Sequence, residues 1–381
     1  MKQGWEIKKL GEVCTIGGGS TPSKTNKDFW ENGAIPWFTI EDIREQGRKI
    51  RYTQKHITEK ALNKTRLFPP KTTLLCCTAS IGEYAISEVE ITSNQQFNGI
   101  VVKDSGILNP YYIFYFAATL KEKLLKLSSK TTIDFVSTGK VKELTIPVPS
   151  LLEQGRIVGV LDAAFAKIDA LKENAQKNLE NAKALFQQVL KQELTPKPNW
   201  QTKKLGEVCK YIKEQGSYSN LPYVGMEDIE PETNKYLGKL IPKNVKSTTF
   251  KFHQGYVLFG RLRPYLRKVL TPKFEGHCST EIFPIQPCQD INCEFLRFWF
   301  LDNIDDINRT CTGARMPRAN MNDVLNFVIS YPQIDEQEEI VLKIENITQK
   351  SNKVIANAEK TIAECDALKQ AVLRRAFNGE L

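Results

Sequence analysis

The chain has 381 residues, 41% of them hydrophobic, and a formal net charge of +9. That length suggests two to three domains with ordinary cores. No run approaches the ~18 apolar residues that a membrane span requires, and the start Met1-Lys2-Gln3-Gly4-Trp5-Glu6 lacks the apolar stretch of a secretion signal, so a cytoplasmic protein without membrane association is expected.

Trp5-Glu6-Ile7-Lys8-Lys9-Leu10-Gly11-Glu12-Val13-Cys14 opens a first compact domain over residues 1–150. Gly17-Gly18-Gly19-Ser20-Thr21-Pro22-Ser23 reads as a loop, and Thr73-Leu74-Leu75-Cys76-Cys77 as a short strand between turn signals. Asn109-Pro110 reads as a helix start, with Asn capping and Pro in the first turn, followed by the aromatic face Tyr111 to Phe116. After Pro149 the composition shifts to Ala, Leu, Lys, Glu, Gln and Asn, which predicts a long helix and linker over 151–198, ended by Pro196-Lys197-Pro198.

Then the chain repeats itself. Trp200-Gln201-Thr202-Lys203-Lys204-Leu205-Gly206-Glu207-Val208-Cys209 reproduces the opening at a shift of 195 residues. It begins a second compact domain over 199–333, with Tyr256-Val257-Leu258-Phe259 as a strand and Asn292 as a helix start. Tyr331-Pro332-Gln333-Ile334-Asp335-Glu336-Gln337 echoes Val148-Pro149-Ser150-Leu151-Leu152-Glu153-Gln154 at a shift of 183, and leads into a last long helix over 334–381. A repeat of this length is a whole domain, not a solenoid unit of ~20–50 residues.

Leu161, Phe165, Ile168, Ala175, Leu179, Ala182, Phe186 and Val189 recur at the three-four spacing of a coiled-coil seam, as do Ile340, Ile344, Ile347, Val354, Ala358, Cys365, Leu368 and Val372. Helices from Glu153 to Leu194 and from Glu336 to Phe377 would each run ~60 Å. The expected fold is α+β: two tandem α+β domains separated by two long antiparallel helices in a coiled coil, with pseudo-twofold symmetry and the domains at opposite ends.

The nine cysteines are scattered without a Cys-x-x-Cys pair, and only His56, His253 and His277 are present. That excludes the spacing of a structural zinc site, so no metal is expected, and Cys14 and Cys209 read as small core residues. Charge is unevenly placed. Six Lys or Arg and no acid lie between Lys251 and Lys273, and nine basic residues face only Glu45 and Glu59 between Arg44 and Lys71. Basic stretches at matching depths of both copies favour a polyanion partner.

The repeated Trp-x-x-x-x-Leu-Gly-Glu-Val openings, the Pro-x-x-x-Glu-Gln starts of the long helices and the ending Leu368 to Leu381 resemble the specificity subunit of type I restriction-modification systems. So do Ile35-Pro36-Trp37 through Glu41-Asp42-Ile43 and Leu221-Pro222-Tyr223 through Glu227-Asp228-Ile229. The resemblance spans the whole chain. It implies a noncatalytic subunit whose two target-recognition domains read the two halves of a bipartite site on double-stranded DNA, with the helices setting the spacer and docking methyltransferase subunits. It further implies two modification subunits that bind S-adenosylmethionine and two restriction subunits that use ATP and Mg, so that this chain itself binds no cofactor.

Base reading needs polar groups carried by loops, with cations on phosphates. In the first domain the candidates are Gly18, Gly19, Ser20, Thr21, Lys24, Arg44, Arg48, Ser80, Asn94, Gln95, Gln96, Lys130 and Thr131. In the second they are Arg261, Arg263, Arg267, Lys268, Arg315, Arg318 and Asn320, with the stretch around Arg315 matching the Ser129-to-Thr132 loop.

Catalytic motifs are weak by comparison. Asn109-Pro110-Tyr111-Tyr112 is similar to the Asn-Pro-Pro-Tyr loop of amino-methyltransferases, but Tyr111 replaces the second Pro and no Gly-rich cofactor loop accompanies it. Gly17-Gly18-Gly19 is not followed by Gly-Lys-Ser/Thr, so no motor ATPase is indicated. A fused methyltransferase or nuclease with divergent motifs is the alternative reading. A coiled-coil assembly protein indifferent to nucleic acid is a third.

Overall fold

Among the residues described by the computed structural model, 4–129, 134–313 and 315–381, contacts form two units. One holds the chain up to Ala175 with Lys360–Leu381; the other holds Gln176–Glu359. Each long helix therefore contributes one part to each unit.

In the first unit, β1 (Glu6–Lys9) pairs antiparallel with β2 (Thr145–Val148), Glu6 opposite Val148. The intervening chain builds a five-stranded sheet in the order Cys14–Gly18, Phe97–Val102, Thr73–Cys76, Tyr84–Ser87, Lys49–Ile50, and a three-stranded sheet of His56–Ile57, Ile35–Phe38 and Thr92–Ser93. Thr73–Cys76 and Tyr84–Ser87 are buried at every position, which is why they read as continuous rather than alternating apolar runs. Leu74 and Ala85 join Phe38, Phe68 and Phe97 in one cluster, while Leu75 and Ile86 pack with the aromatic helix α1 (Pro110–Ala117). Asn109 caps that helix as expected, its Oδ1 accepting the Tyr111 N–H at 2.9 Å.

The second unit repeats the plan. β3 (Gln201–Lys204) pairs with β4 (Val328–Tyr331), and a four-stranded sheet runs Cys209–Tyr211, Ile282–Pro287, Val257–Gly260, Val269–Leu270. A helix over Cys293–Asp302 is capped by Asn292, whose Oδ1 accepts the N–H groups of Glu294 and Phe295.

Two sequence signatures have structural causes. In Leu-Gly-Glu-Val, a Cβ on Gly11 would stand 3.0 Å from the Lys142 Cβ, and one on Gly206 would stand 3.3 Å from both the Cβ and the carbonyl oxygen of Leu325. Only glycine permits that approach without displacement. In Pro-x-x-x-Glu-Gln the glutamine is fully buried: Gln154 Nε2 donates to the carbonyls of Ile107 (2.9 Å) and Pro149 (2.8 Å) while its Oε1 accepts the Asn109 N–H (2.8 Å). Gln337 does the same with Asp290 (2.8 Å), Pro332 (2.9 Å) and the Asn292 N–H (2.9 Å). Each glutamine thus ties the start of a long helix to the start of its domain's aromatic helix.

The long helices span Leu151–Glu193 and Ile334–Asn378, close to the expected bounds. In the first unit their segments run antiparallel: Arg156 donates to the Leu381 carbonyl at 2.8 Å, Asp169 meets Lys369, and Lys172 meets Asp366 at 2.6 Å. Phe377 packs between Tyr112 and Phe116, with ring centroids 5.0 and 5.3 Å away. In the second unit Phe186, Leu190 and Leu194 share a core with Ile340, Val341 and Ile344, and Lys343 lies 3.6 Å from Glu193. The expected seam needs correction at four places. Val354 and Leu368 are exposed, while Leu190 and Leu373 are buried where Val189 and Val372 are only half-buried. An α-helix drifts ~20° per heptad from a strict seven-residue repeat, so the buried face moves one residue on where a helix end joins a domain core.

The described cysteines are all free. Burial pushes the thiols of Cys14 and Cys209 up to about 12, as expected of inert core residues.

Candidate nucleic-acid interface

In the first unit five chain segments are stitched into one polar surface. The Thr21 hydroxyl donates to Gln95 Oε1, the Ser20 hydroxyl to the Lys64 carbonyl, and the Ser20 N–H to Thr65 Oγ1 (3.3 Å). Asn94 Oδ1 accepts the Gln96 N–H at 3.0 Å and folds the 94–96 turn on itself. Backbone bonds then run from the Cys77 N–H to Gln96 (2.8 Å), from Val136 to Cys77 (2.9 Å) and from Ala79 to Asp134 (3.2 Å).

Gly17 and Gly18 lie in a strand opposite Gly99 and Asn98, not in the expected loop. The antiparallel ladder of Cys14–Gly18 with Phe97–Val102 extends that far, and glycine is needed at 17 because the Arg66 guanidinium occupies the space above it: a Cβ there would come within 1.5 Å of Nη1. The Gly19 N–H is likewise held, by Phe97 O at 3.0 Å, so the chain leaves this sheet at Ser20. Lys24 is exposed and has no ion pair among the described residues. Arg44 is paired to Glu41 at 2.6 Å on an exposed helix face, and shares a shallow cleft of about 480 Å³ with Ser80 and Lys121. Arg48 is engaged elsewhere, donating to Tyr84 O (2.7 Å) and Glu83 (3.0 Å) and lying 4.1 Å over the Tyr84 ring. Lys130 and Thr131 lie outside the described residues.

The second unit shows the same stitching. The Arg261 N–H donates to Glu281 O (2.9 Å), Ala319 to Arg261 (2.9 Å) and Arg263 to Pro317 (2.7 Å). Arg263 adopts φ +51°, as Ala79 adopts +61° at the corresponding turn. Thr312 bridges Arg318 as Ser129 bridges Phe135, which supports the expected match between these loops. Arg318 forks onto Glu281 through Nε (3.1 Å) and Nη2 (3.0 Å). Arg261 stands 3.9 Å from the same carboxylate and 5.0 Å over Phe283.

The remaining candidates divide. Arg315 is exposed and without an ion pair among the described residues. Arg267, by contrast, meets Glu232 (2.9 Å), Gln187 (3.0 Å), Leu301 O (2.9 Å) and Asp305 (3.6 Å). Lys268 donates to Met226 O at 2.6 Å, and Asn320 caps the helix Met321–Leu325. All three side chains are thus engaged by partners within their own unit.

Sequence reasoning missed Arg66 and the turn Ser279-Thr280-Glu281. That turn stands where Asn94-Gln95-Gln96 stands: Ser279 Oγ accepts the Glu281 N–H (3.2 Å), and Ser279 N–H donates to Val224 O (3.0 Å) as Asn94 N–H does to Phe38 O (3.1 Å). Aligning the strands Phe97–Val102 and Ile282–Pro287 would have exposed the match.

Behind this surface His277 is fully buried, its Nδ1 bonded to the Thr249 hydroxyl (2.9 Å) and its Nε2 to Lys243 O (3.0 Å). Burial depresses its pKa below 6.5. The unfolded chain therefore takes up its proton first as pH falls. Stability of the second unit is expected to decline below about pH 6.5 as the unfolded histidine protonates, and His277→Gln should flatten that slope in thermal melts taken from pH 7.5 to 5.

No group of His, Cys, Asp and Glu that could hold a metal occurs among the described residues, and no described helix is long and apolar enough to cross a membrane. The sequence profile of the type I restriction modification DNA specificity domain matches residues 2–181 and again 197–363. The chain is 26% identical to the type I restriction enzyme MjaIX specificity subunit of Methanocaldococcus jannaschii, over 99% of this chain and 93% of that one. To the EcoprrI specificity subunit of Escherichia coli it is 35% identical over 40% of each chain. A solved chain from work on complex assembly and conformational transition of the type I R-M system superposes with a TM-score of 0.79 at 20% identity, covering 100% of this chain and 99% of that one. The HsdS subunit from Thermoanaerobacter tengcongensis gives 0.59 at 19% identity, covering 100% and 98%. These likenesses establish the fold.

Proposed function

The chain belongs to the type I restriction modification DNA specificity family, and on that premise we propose that it reads a bipartite target in double-stranded DNA on behalf of a methyltransferase. One observation carries the reading: the same set of hydrogen-bonded polar loops, rich in Arg, Asn, Gln and Ser, is built twice on two matching domains. Phosphate contacts come from exposed cations such as Lys24, Arg66 and Arg315, and sequence is read by the side chains beside them. The chain itself does no chemistry; the modification subunits carry S-adenosylmethionine, and restriction subunits, where present, carry the ATP-driven motor. Two copies of each would match the two domains.

Methyl transfer decides between this reading and a fused enzyme. The purified chain with labelled S-adenosylmethionine and duplex DNA is expected to be inactive alone and active once a modification subunit is added. Activity of the chain by itself would favour the fused methyltransferase. Binding that ignores salt would favour an assembly protein, because each neutralised phosphate releases counterions.

We further propose that the paired helices fix the spacer between the half-sites. Four residues inserted near Asn178, matched by four in the last helix, form a stutter that a coiled coil absorbs and add ~6 Å of helix. Selection from a random-spacer library should return a longer spacer with the same half-sites. An unaltered spacer sinks the ruler.

A further inference from the structure

The two equivalent turns, 94–96 and 279–281, hold the same place and the same backbone bonds but carry different chemistry. In the first domain the turn presents carboxamides. Gln95 is exposed, its Oε1 taken by the Thr21 hydroxyl and its amide nitrogen without a hydrogen bond among the described residues. A carboxamide sets donor and acceptor side by side, which fits N7 and N6 of adenine.

In the second domain Glu281 stands at the end of the turn, gripped by the Arg318 fork and flanked by Arg261. The pair is not sealed: about a third of each side chain remains exposed, 38% for Arg318 and 30% for Glu281. Arg318 spends Nε and Nη2 on the carboxylate, which leaves Nη1 without a hydrogen bond among the described residues. A guanidinium donates to O6 and N7 of guanine, and a carboxylate accepts from N4 of cytosine; both belong to one G·C pair. The carboxylate also fixes the plane of the guanidinium, so the reading group is oriented before DNA arrives.

We propose that these turns are the base-reading elements of the two domains, Gln95 selecting an A·T pair in one half-site and Glu281 with Arg318 selecting a G·C pair in the other. The inference rests on the proposed recognition role and deepens it.

Selection of bound duplexes from a library with both half-sites randomised tests it, using the full chain co-produced with its methyltransferase partner. Glu281→Gln and Arg318→Lys are each expected to lower the preference for one G·C pair about tenfold to a hundredfold and to leave the other half-site intact. Gln95→Ala should do the same to an A·T pair in that other half-site. Retained selection at the remaining base pairs of the altered half-site reports that the mutated domain is still folded. The proposal is overturned if Glu281→Gln and Arg318→Lys both return the wild-type target, or if their effect falls in the half-site that Gln95→Ala alters. A wild-type chain that selects no sequence overturns the recognition role as well.

Discussion

Glutamate in place of Gln337 is expected to lower the stability of the second domain by about 3–5 kcal/mol, and the same exchange at Gln154 to do so in the first. The reason is the direction of the bonds. The carboxamide nitrogen of each glutamine donates to two carbonyls, one at the start of the long helix and one in the loop before the aromatic helix. A carboxylate has no proton for either, and sets a buried charge against two acceptors. Leucine keeps the volume and brings no charge, so it should also destabilise, through two buried carbonyls and one N–H left without partners at about 1–3 kcal/mol each at most. Urea unfolding followed by tryptophan fluorescence checks this, since Trp200 and Trp299 lie buried in the second domain core. A midpoint that does not move in Gln337→Glu removes the lock from the account of how helix and domain are joined.

Where the fold was legible in sequence, it was because a local need recurs with the same residue. Gly11 and Gly206 return together because both face a helix that leaves no room for a Cβ. Gln154 and Gln337 return because only a carboxamide of that length bridges two carbonyls and an N–H. The helices declared themselves by composition and period, yet the seam slipped by a residue at Leu190 and Leu373, where packing on a domain core outweighs the heptad.

The binding surface was less legible. Its stitching is mostly backbone to backbone, which leaves no residue signature, so the Asn-Gln-Gln turn and the Ser-Thr-Glu turn look unrelated although they are bonded alike. Gly17 reads as loop because glycine favours turns, while its strand partner Gly99 and the Arg66 guanidinium that excludes a side chain there both lie far along the chain. Arg263 and Arg267 show the same limit. Both adopt left-handed backbone, at φ +51° and +54°, on either side of the short helix Pro264–Leu266. Sequence gives no reason to separate them.

Their side chains do separate them, and the consequence is measurable. Arg267→Ala is expected to destabilise the second domain by about 2–4 kcal/mol, because it strips a mostly buried guanidinium from Glu232, Gln187, Asp305 and the Leu301 carbonyl and leaves those groups unpaired. For a domain of this size that is a fall of roughly 5–15 °C in melting temperature. Base preference at temperatures where the domain remains folded should not change, since none of these partners belongs to the loop set of Arg261, Glu281 and Arg318. Arg263→Ala should behave in the opposite way. Its side chain has no ion pair among the described residues, and its Nε is buried without a hydrogen bond, so truncation should leave the melt nearly unmoved. Specific binding should weaken by ~1–3 kcal/mol if the group reaches a base. Titration of labelled duplex at fixed salt, beside thermal melts of both variants, reads the two effects independently. A stable Arg267→Ala protein with lost sequence preference would reverse the assignment, because the cluster of acids and carbonyls around that arginine would then be a holding position released on DNA binding rather than a structural joint.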